Sequence, residues 1–283
     1  KPTSGNLNMT TVSQRDELTL GQALAMWVSG DEQLVPRDLV YPPDKSREDV
    51  DKDNDAEFKD SEDSAAYAAL GYLKYAPAVT VAEVNDSGPA KDKLQAGDAI
   101  DAVDGKPTAT LDEFTGLLKA TKPGQQVVLD YRRKNAPAGT VTVTLGSHPD
   151  RDYGYLGVSV LNAPWAPFSI DFNLANIGGP SAGLMFSLAV VDKLTTGNLN
   201  DSKFVAGTGT IAPDGAVGPI GGITHKMSAA RDAGATVFLV PAENCDEAVT
   251  GEQDGMRLVK VDTLGTAVDA LHALSTGGDA PHC

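Results

Sequence analysis

The sequence predicts an α+β chain made of two differently built parts, and three observations carry that prediction. From Arg151 onward, short apolar strands alternate with helical stretches, as in a layered domain. Between about Ala78 and Leu145, short alternating strands surround a single amphipathic helix, as in a small unit with its own core. In two places, Gly178 to Gly183 and Gly218 to Lys226, glycine and proline lead directly into a helix.

Taken in order, Leu7 to Val12 reads as a strand. Leu18 to Val28 has helical spacing through Leu18, Ala23, Leu24 and Trp27, and Gly30 reads as its stop. Asp44 to Asp63 holds ten Asp/Glu against four Lys/Arg, a net of −6, and is expected to be a solvated helical face or a surface excursion. An Ala-rich helix from about Ala65 to Tyr75 follows, with Pro77 helping to stop it. Val79 to Val84 is a strand, Asp86-Ser87-Gly88-Pro89 a turn, and Leu94 to Ile100 a tight turn into a second strand ending at Asp104-Gly105. Thr110 and Glu113 fit a capping box, and Leu111, Phe114, Leu117 and Leu118 share one helical face. Strands over Val127 to Arg133 and Thr140 to Leu145 complete this unit.

In the last part, strands are expected over Phe168 to Leu174, Phe204 to Ile211, Ala216 to Ile220, Val237 to Val240 and Leu258 to Val261. Helices are expected over Ser181 to Leu194, Lys226 to Ala233, near Asp246, and Leu264 to Leu274. The resulting division is 1–44, 45–77, 78–146, 151–277 and a tail, 278–283.

Composition narrows the function. A chain of 283 residues, 41% hydrophobic, can bury a substantial core. A formal charge of −16 argues against nucleic acid as a partner, because phosphate binding needs clustered Lys and Arg. No stretch reaches the ~18 apolar residues of a membrane span; the longest near-apolar run is Leu184 to Val191. The chain opens on Lys1 rather than Met, so it reads as part of a longer product, with any signal or anchor ahead of it. Cys245 and Cys283 are too few for a disulfide scaffold or a zinc site; they permit one bridge or two free thiols. No metal or cofactor is expected.

Chemistry concentrates in the two glycine-rich helix entries. A serine hydroxyl is a weak nucleophile that needs a base and a stabilised oxyanion. In Gly178-Gly179-Pro180-Ser181-Ala182-Gly183, Ser181 falls where a buried helix begins and free N–H groups favour negative charge. The same pattern also suits an ordinary strand-to-helix turn whose serine only caps. In Gly218-Pro219-Ile220-Gly221-Gly222-Ile223-Thr224-His225-Lys226, the lysine lies near a helix start, where the dipole and burial would both depress its pKa. A surface lysine on a helix is the plain alternative, and His225 is expected to face solvent.

Together the two segments resemble the proteolytic domain of Lon-type peptidases, in which a Gly-Pro-Ser-Ala-Gly serine pairs with the lysine of Pro-Ile-Gly-Gly-x-x-x-Lys. The likeness continues through Ala206-Gly207-Thr208-Gly209, Ala230-Arg231-Asp232-Ala233-Gly234 and Val240-Pro241-Ala242-Glu243-Asn244. Leu94-Gln95-Ala96-Gly97-Asp98-Ala99-Ile100 followed by Val103-Asp104-Gly105-Lys106-Pro107 resembles bacterial PDZ domains. The resemblance implies an α+β Lon-type domain with an inserted PDZ domain, from a membrane-anchored or exported bacterial branch, and a homo-oligomer. It implies Ser181 as nucleophile, Lys226 as base, Thr208 as the residue orienting the lysine, and Gly179, Ser181 and Ala182 as backbone around the oxyanion. Polypeptides are the implied substrates. For the PDZ part it implies peptide-tail binding at a loop ahead of the first strand, at Leu70, Gly71 and Tyr72.

The chain departs from Lon in having no Walker A loop: its one Gly-Lys pair, Gly105-Lys106, is followed by Pro107. Unstructured or partly unfolded polypeptides are therefore the expected substrates, hydrolysed without ATP. Two other readings remain. Gly179-x-Ser181-x-Gly183 also fits the nucleophile elbow of α/β-hydrolases, with Asp246 or Asp262 and His272 as partners. A PDZ unit on an inactive protease fold would instead be an adaptor or chaperone. Ala163 to Phe168, with Trp165, is expected to be a connection or to border a substrate groove.

Overall fold

The computed structural model describes residues 5–12, 15, 18–29, 34–174 and 178–283, which separate into two compact units. The first holds Lys1–Tyr72 and Phe172–Cys283, and the second is Leu73–Asp171. The fold is α+β, as expected.

The first unit begins with strand β1 (Asn6–Met9) and helix α1 (Leu20–Ser29), with Gly30 outside the described residues. A short helix α2 (Arg37–Val40), not expected from sequence, precedes α3 (Arg47–Tyr72). The acidic segment and the Ala-rich helix are one continuous 26-residue helix. Its charged residues face solvent while Phe58, Ser61, Ala65 and Ala68, spaced by three and four, form a buried stripe. That stripe explains why so acidic a segment is ordered.

The second unit contains β2 (Pro77–Val84), β3 (Ala99–Val103), β4 (Lys106–Pro107), α4 (Leu111–Lys119), β5 (Gln126–Arg132) and β6 (Gly139–Thr144). It continues through β7 (Gly146–His148), β8 (Arg151–Tyr155) and β9 (Val158–Pro164). The main sheet runs β6-β5-β3-β2-β9, with β4 beside β3. The division expected at 146 is thus corrected: 151–171 belong to this unit, because β9 pairs along the whole of β2, from Pro77↔Pro164 to Val84↔Val158. Thr110 and Glu113 form the expected capping box on α4. Val79, Val81, Ile100, Phe114, Leu118 and Leu129 anchor the core.

Beside that core, Asp98 is fully buried and bonded by both Nε (2.8 Å) and Nη2 (2.7 Å) of Arg133. Trp165 is also structural: its indole N–H donates to the Gly97 carbonyl, and the Arg132 guanidinium lies 4.3 Å from its ring centre.

The first unit resumes with α5 (Gly183–Leu194), β10 (Phe204–Gly207), β11 (Thr210–Ile211), β12 (Val217–Gly218), α6 (Ile223–Asp232) and β13 (Val237–Pro241). A 3-10 turn leads into α7 (Cys245–Ala248), then β14 (Arg257–Val261) and α8 (Leu264–Ser275). Strands β1, β10, β13 and β14 form a parallel sheet in that order. The strand expected over Phe168 to Leu174 is absent: this segment is irregular, and β1 takes the sheet position beside β10. Instead, Phe172 stacks on Phe186 of α5.

Parallel strands must be covered on both faces. Ala206, Phe238, Val240 and Leu258 meet Ile223, Met227 and Ala230 of α6. On the alternating positions, Gly207 lies between Leu239 and Met185 of α5, either of which a Cβ there would meet. Two helices on opposite faces therefore both begin at the carboxyl edge of the sheet, where open α/β sheets place their sites. Cys245 and Cys283 are joined in a disulfide, tying the tail to α7. Among the described residues, no helix is long and apolar enough to cross a membrane, and no cluster of His, Cys, Asp or Glu could hold a metal.

Candidate active site

The expected strand Phe204 to Ile211 is two strands, broken at Thr208 and Gly209. At that break the helix entries from the two sheet faces converge. Ser181 precedes α5, and Lys226 is the fourth residue of α6, which starts after Gly222 in a left-handed conformation (φ 68°).

Lys226 Nζ lies 2.9 Å from Ser181 Oγ and 3.1 Å from Thr208 Oγ1. The Thr208 hydroxyl donates to the Ser181 carbonyl at 3.1 Å, and the Gly209 N–H donates to the same carbonyl. Thr208 is fully buried and Lys226 only 4% exposed. Burial pushes the Lys226 ammonium down from the ordinary lysine value to about 8. The three residues expected from sequence are thus in mutual hydrogen-bond contact. Among the described residues no histidine bonds to Ser181, His272 is exposed, and His225 is half-buried away from the contact.

The backbone expectation needs one correction. The Gly179 N–H donates to the Asn54 carbonyl of α3 at 3.0 Å, so it is not free for an oxyanion. Within the described residues, the N–H groups of Ser181 and Ala182 have no acceptor. They lie just ahead of α5, where the helix leaves donors unpaired.

Three contributors were not singled out from sequence. Asn54 and Ser61 of α3 bond the loop ahead of Ser181, the latter through its hydroxyl to the Pro180 carbonyl at 3.2 Å. Asn244 accepts from the Ile220 N–H and donates to the Ile220 carbonyl, both at 2.9 Å, bracing the loop that leads into α6. The available signal for Asn244 was its place in the Val240-Pro241-Ala242-Glu243-Asn244 run, just past the all-apolar strand β13. For Asn54 and Ser61, set in an acidic run, the sequence carried no such signal.

In the second unit, Leu70, Gly71 and Tyr72 are not a binding loop. They end helix α3 and belong to the first unit, with Leu70 buried. The segment Tyr155-Leu156-Gly157-Val158 instead leads from β8 into β9. That strand is the end of its sheet, and α4 packs against β8 and β9. A cleft of about 430 Å³ lies at the loop, lined by His148, Arg151, Tyr155, Gly157 and Val158 among others. The signal was the Leu-Gly-Val sequence directly ahead of a strand.

Residues 176–272 match the Lon protease (S16) C-terminal proteolytic domain, and residues 52–145 match the PDZ domain. The chain combines a Lon-type proteolytic domain with a PDZ domain. Over 95 residues it is 33% identical to Lon protease 2 of Bacillus subtilis (strain 168), covering 34% of this chain and 17% of that protein. Over 100 residues it is 35% identical to the archaeal Lon protease of Methanothermobacter thermautotrophicus, covering 35% and 15%. The chain therefore spans less than a fifth of the length of these relatives. The solved PDZ domain of the SdrC-like protein from Listeria monocytogenes is 27% identical, with 30% of this chain and 87% of that one covered and a TM-score of 0.28. The Lon-type match contains Ser181, Thr208 and Lys226, and the PDZ match ends before β9.

Proposed function

We propose that this chain is a serine endopeptidase in which Lys226 activates Ser181. The single observation that carries the proposal is the 2.9 Å contact between Lys226 Nζ and Ser181 Oγ in a buried site. Neutral Lys226 takes the Ser181 proton as Oγ attacks the substrate carbonyl. The Ser181 and Ala182 N–H groups receive the developing oxyanion. Lys226 then protonates the leaving amine, and a water activated by the same lysine releases the acyl group. Thr208 keeps the lysine aimed, because its own proton is given to the Ser181 carbonyl and only its lone pairs face Nζ.

In this reading the substrates are unstructured or partly unfolded polypeptides, hydrolysed without ATP. The PDZ domain receives an extended peptide along the free edge of β9, in the strand-addition mode, beside α4. The reading includes an exported or membrane-anchored protein and a homo-oligomer. The Cys245–Cys283 bridge supports export, because such bridges persist in oxidising compartments.

The test is a serine-directed fluorophosphonate probe together with casein hydrolysis in the absence of ATP. Labelling of Ser181 that disappears in Lys226→Ala, with casein hydrolysis lost in Ser181→Ala, is the expected result. Labelling that survives in Lys226→Ala would overturn the dyad.

A further inference from the structure

Most of helix α3 lies within the sequence range of the PDZ match, yet it bonds the loop that carries the nucleophile. We infer that α3 is part of the catalytic apparatus and that Ser61 is a positioning residue for Ser181. The inference deepens the peptidase reading and rests on it.

The stripe Asn54, Phe58, Ser61 and Ala65 occupies one face of α3, at helical spacing. Three of its members meet the serine loop or its helix at defined places. The Asn54 carbonyl takes the Gly179 N–H, and Phe58 meets Phe186 of α5 edge-on with ring centres 5.6 Å apart. The Ser61 hydroxyl, in a residue only 4% exposed, donates to the Pro180 carbonyl. Gly183 closes the packing: a Cβ there would come within 2.9 Å of Ser61 Oγ and 2.6 Å of an Ile211 methyl. Helix and loop can approach this closely only because position 183 has no side chain.

The Pro180 carbonyl matters because of what is bonded to it. The peptide between Pro180 and Ser181 is planar and trans, so its C=O and N–H point in opposite directions. Holding the carbonyl toward Ser61 aims the Ser181 N–H away from α3. Among the described residues that N–H has no acceptor. On its other side, the Ser181 carbonyl is held by Thr208 and Gly209. Both peptide planes flanking the nucleophile are therefore fixed, one by the Thr208–Gly209 break and the other by Ser61. Without the Ser61 hydroxyl the first plane can rotate, and donor and Oγ lose their common alignment. The effect falls on bond formation, not on substrate capture.

The test compares the full chain with Ser61→Ala and Ser61→Cys; the cysteine keeps the volume but donates weakly. Fluorophosphonate labelling rate, and kcat and KM on an unfolded polypeptide, are measured per titrated active site, alongside melting temperature and pH profile. We expect labelling and kcat to fall about 10- to 100-fold in both variants, less than removal of an oxyanion donor itself. KM should stay within about twofold, and the alkaline rise set by Lys226 should not move. Rates per site within about twofold of the parent would overturn the inference, as would a loss confined to KM. A lower melting temperature with unchanged rates, or unfolding of both variants, would assign Ser61 to stability instead. Failure of the parent chain itself to label would overturn the peptidase reading, and this inference with it.

Discussion

Lys226 Nζ lies 3.1 Å from the Thr208 hydroxyl, whose own proton is committed to the Ser181 carbonyl. Thr208 therefore accepts from the lysine and leaves the remaining amine lone pair for Ser181. Thr208→Val keeps the shape and removes that acceptor. We expect kcat/KM to fall about 10- to 100-fold, within the range general-base catalysis supplies, while Thr208→Ser stays near the parent value. Steady-state hydrolysis of a peptide by the three proteins checks this.

The depressed lysine sets the pH profile. With Lys226 titrating at about 8, the fraction of neutral base rises about tenfold per unit below that value and then saturates. Thus kcat/KM should climb between pH 6 and 8 and level off above it. A flat profile between pH 6 and 8 would contradict the role of Lys226.

The same shift has a stability consequence with a definite sign. Unfolded lysine titrates near its ordinary value of 10.5, folded Lys226 at about 8. Between those limits the unfolded chain holds more protons, so unfolding free energy rises with pH across that window. On the acid side the buried site must host an ammonium. Lys226→Met should therefore be inactive yet melt higher than the parent at pH 6. Paired thermal melts at pH 6 and pH 10 test this, with the advantage of the variant shrinking at the higher pH.

In the PDZ domain, Arg133 is the charged partner of the fully buried Asp98. Arg133→Ala leaves that carboxylate without its counter-charge, and a loss of about 3–5 kcal/mol is expected. Denaturant titration of both proteins measures it.

The bridge between Cys245 and Cys283 closes a loop with a sequence separation of 38. Loop-closure entropy for that length gives up to about 4 kcal/mol. Cys283→Ser, or added reductant, should lower the melting temperature while leaving the Ser181–Lys226 contact intact, so peptide hydrolysis below the transition should persist.

The parts of the site legible in the sequence were those where local chemistry is unusual. Glycine and proline at two helix entries marked Ser181 and Lys226, and the Ala206-Gly207-Thr208-Gly209 resemblance marked Thr208, although the strand break there was not foreseen. What could not be read was chemistry that depends on distant packing. Asn54 and Ser61 lie in a run of acidic residues that looks like solvated surface, and only the position of α5 shows that one stripe of it is buried. A binding loop was expected ahead of β2, the first strand of this unit, but that place is the end of α3. The strand at the edge beside β2 is β9, which comes after β6 in the chain, and strand pairing, not sequence order, decides its neighbour. Phe168 to Leu174 has strand-like composition, but the edge beside β10 was already taken by β1.

The boundary at Tyr72 also bears on how the two functions can be dissected genetically. A deletion drawn from the matched sequence range, 52–145, would excise most of α3 along with strands β2 to β6. It would also leave β9 behind without its sheet. Loss of proteolysis in such a strain would be credited to missing substrate recruitment, when the support of the serine loop had been cut away. A deletion spanning Leu73 to Asp171 keeps Asn54, Ser61 and Phe172 in place, so the support of the serine loop survives the cut.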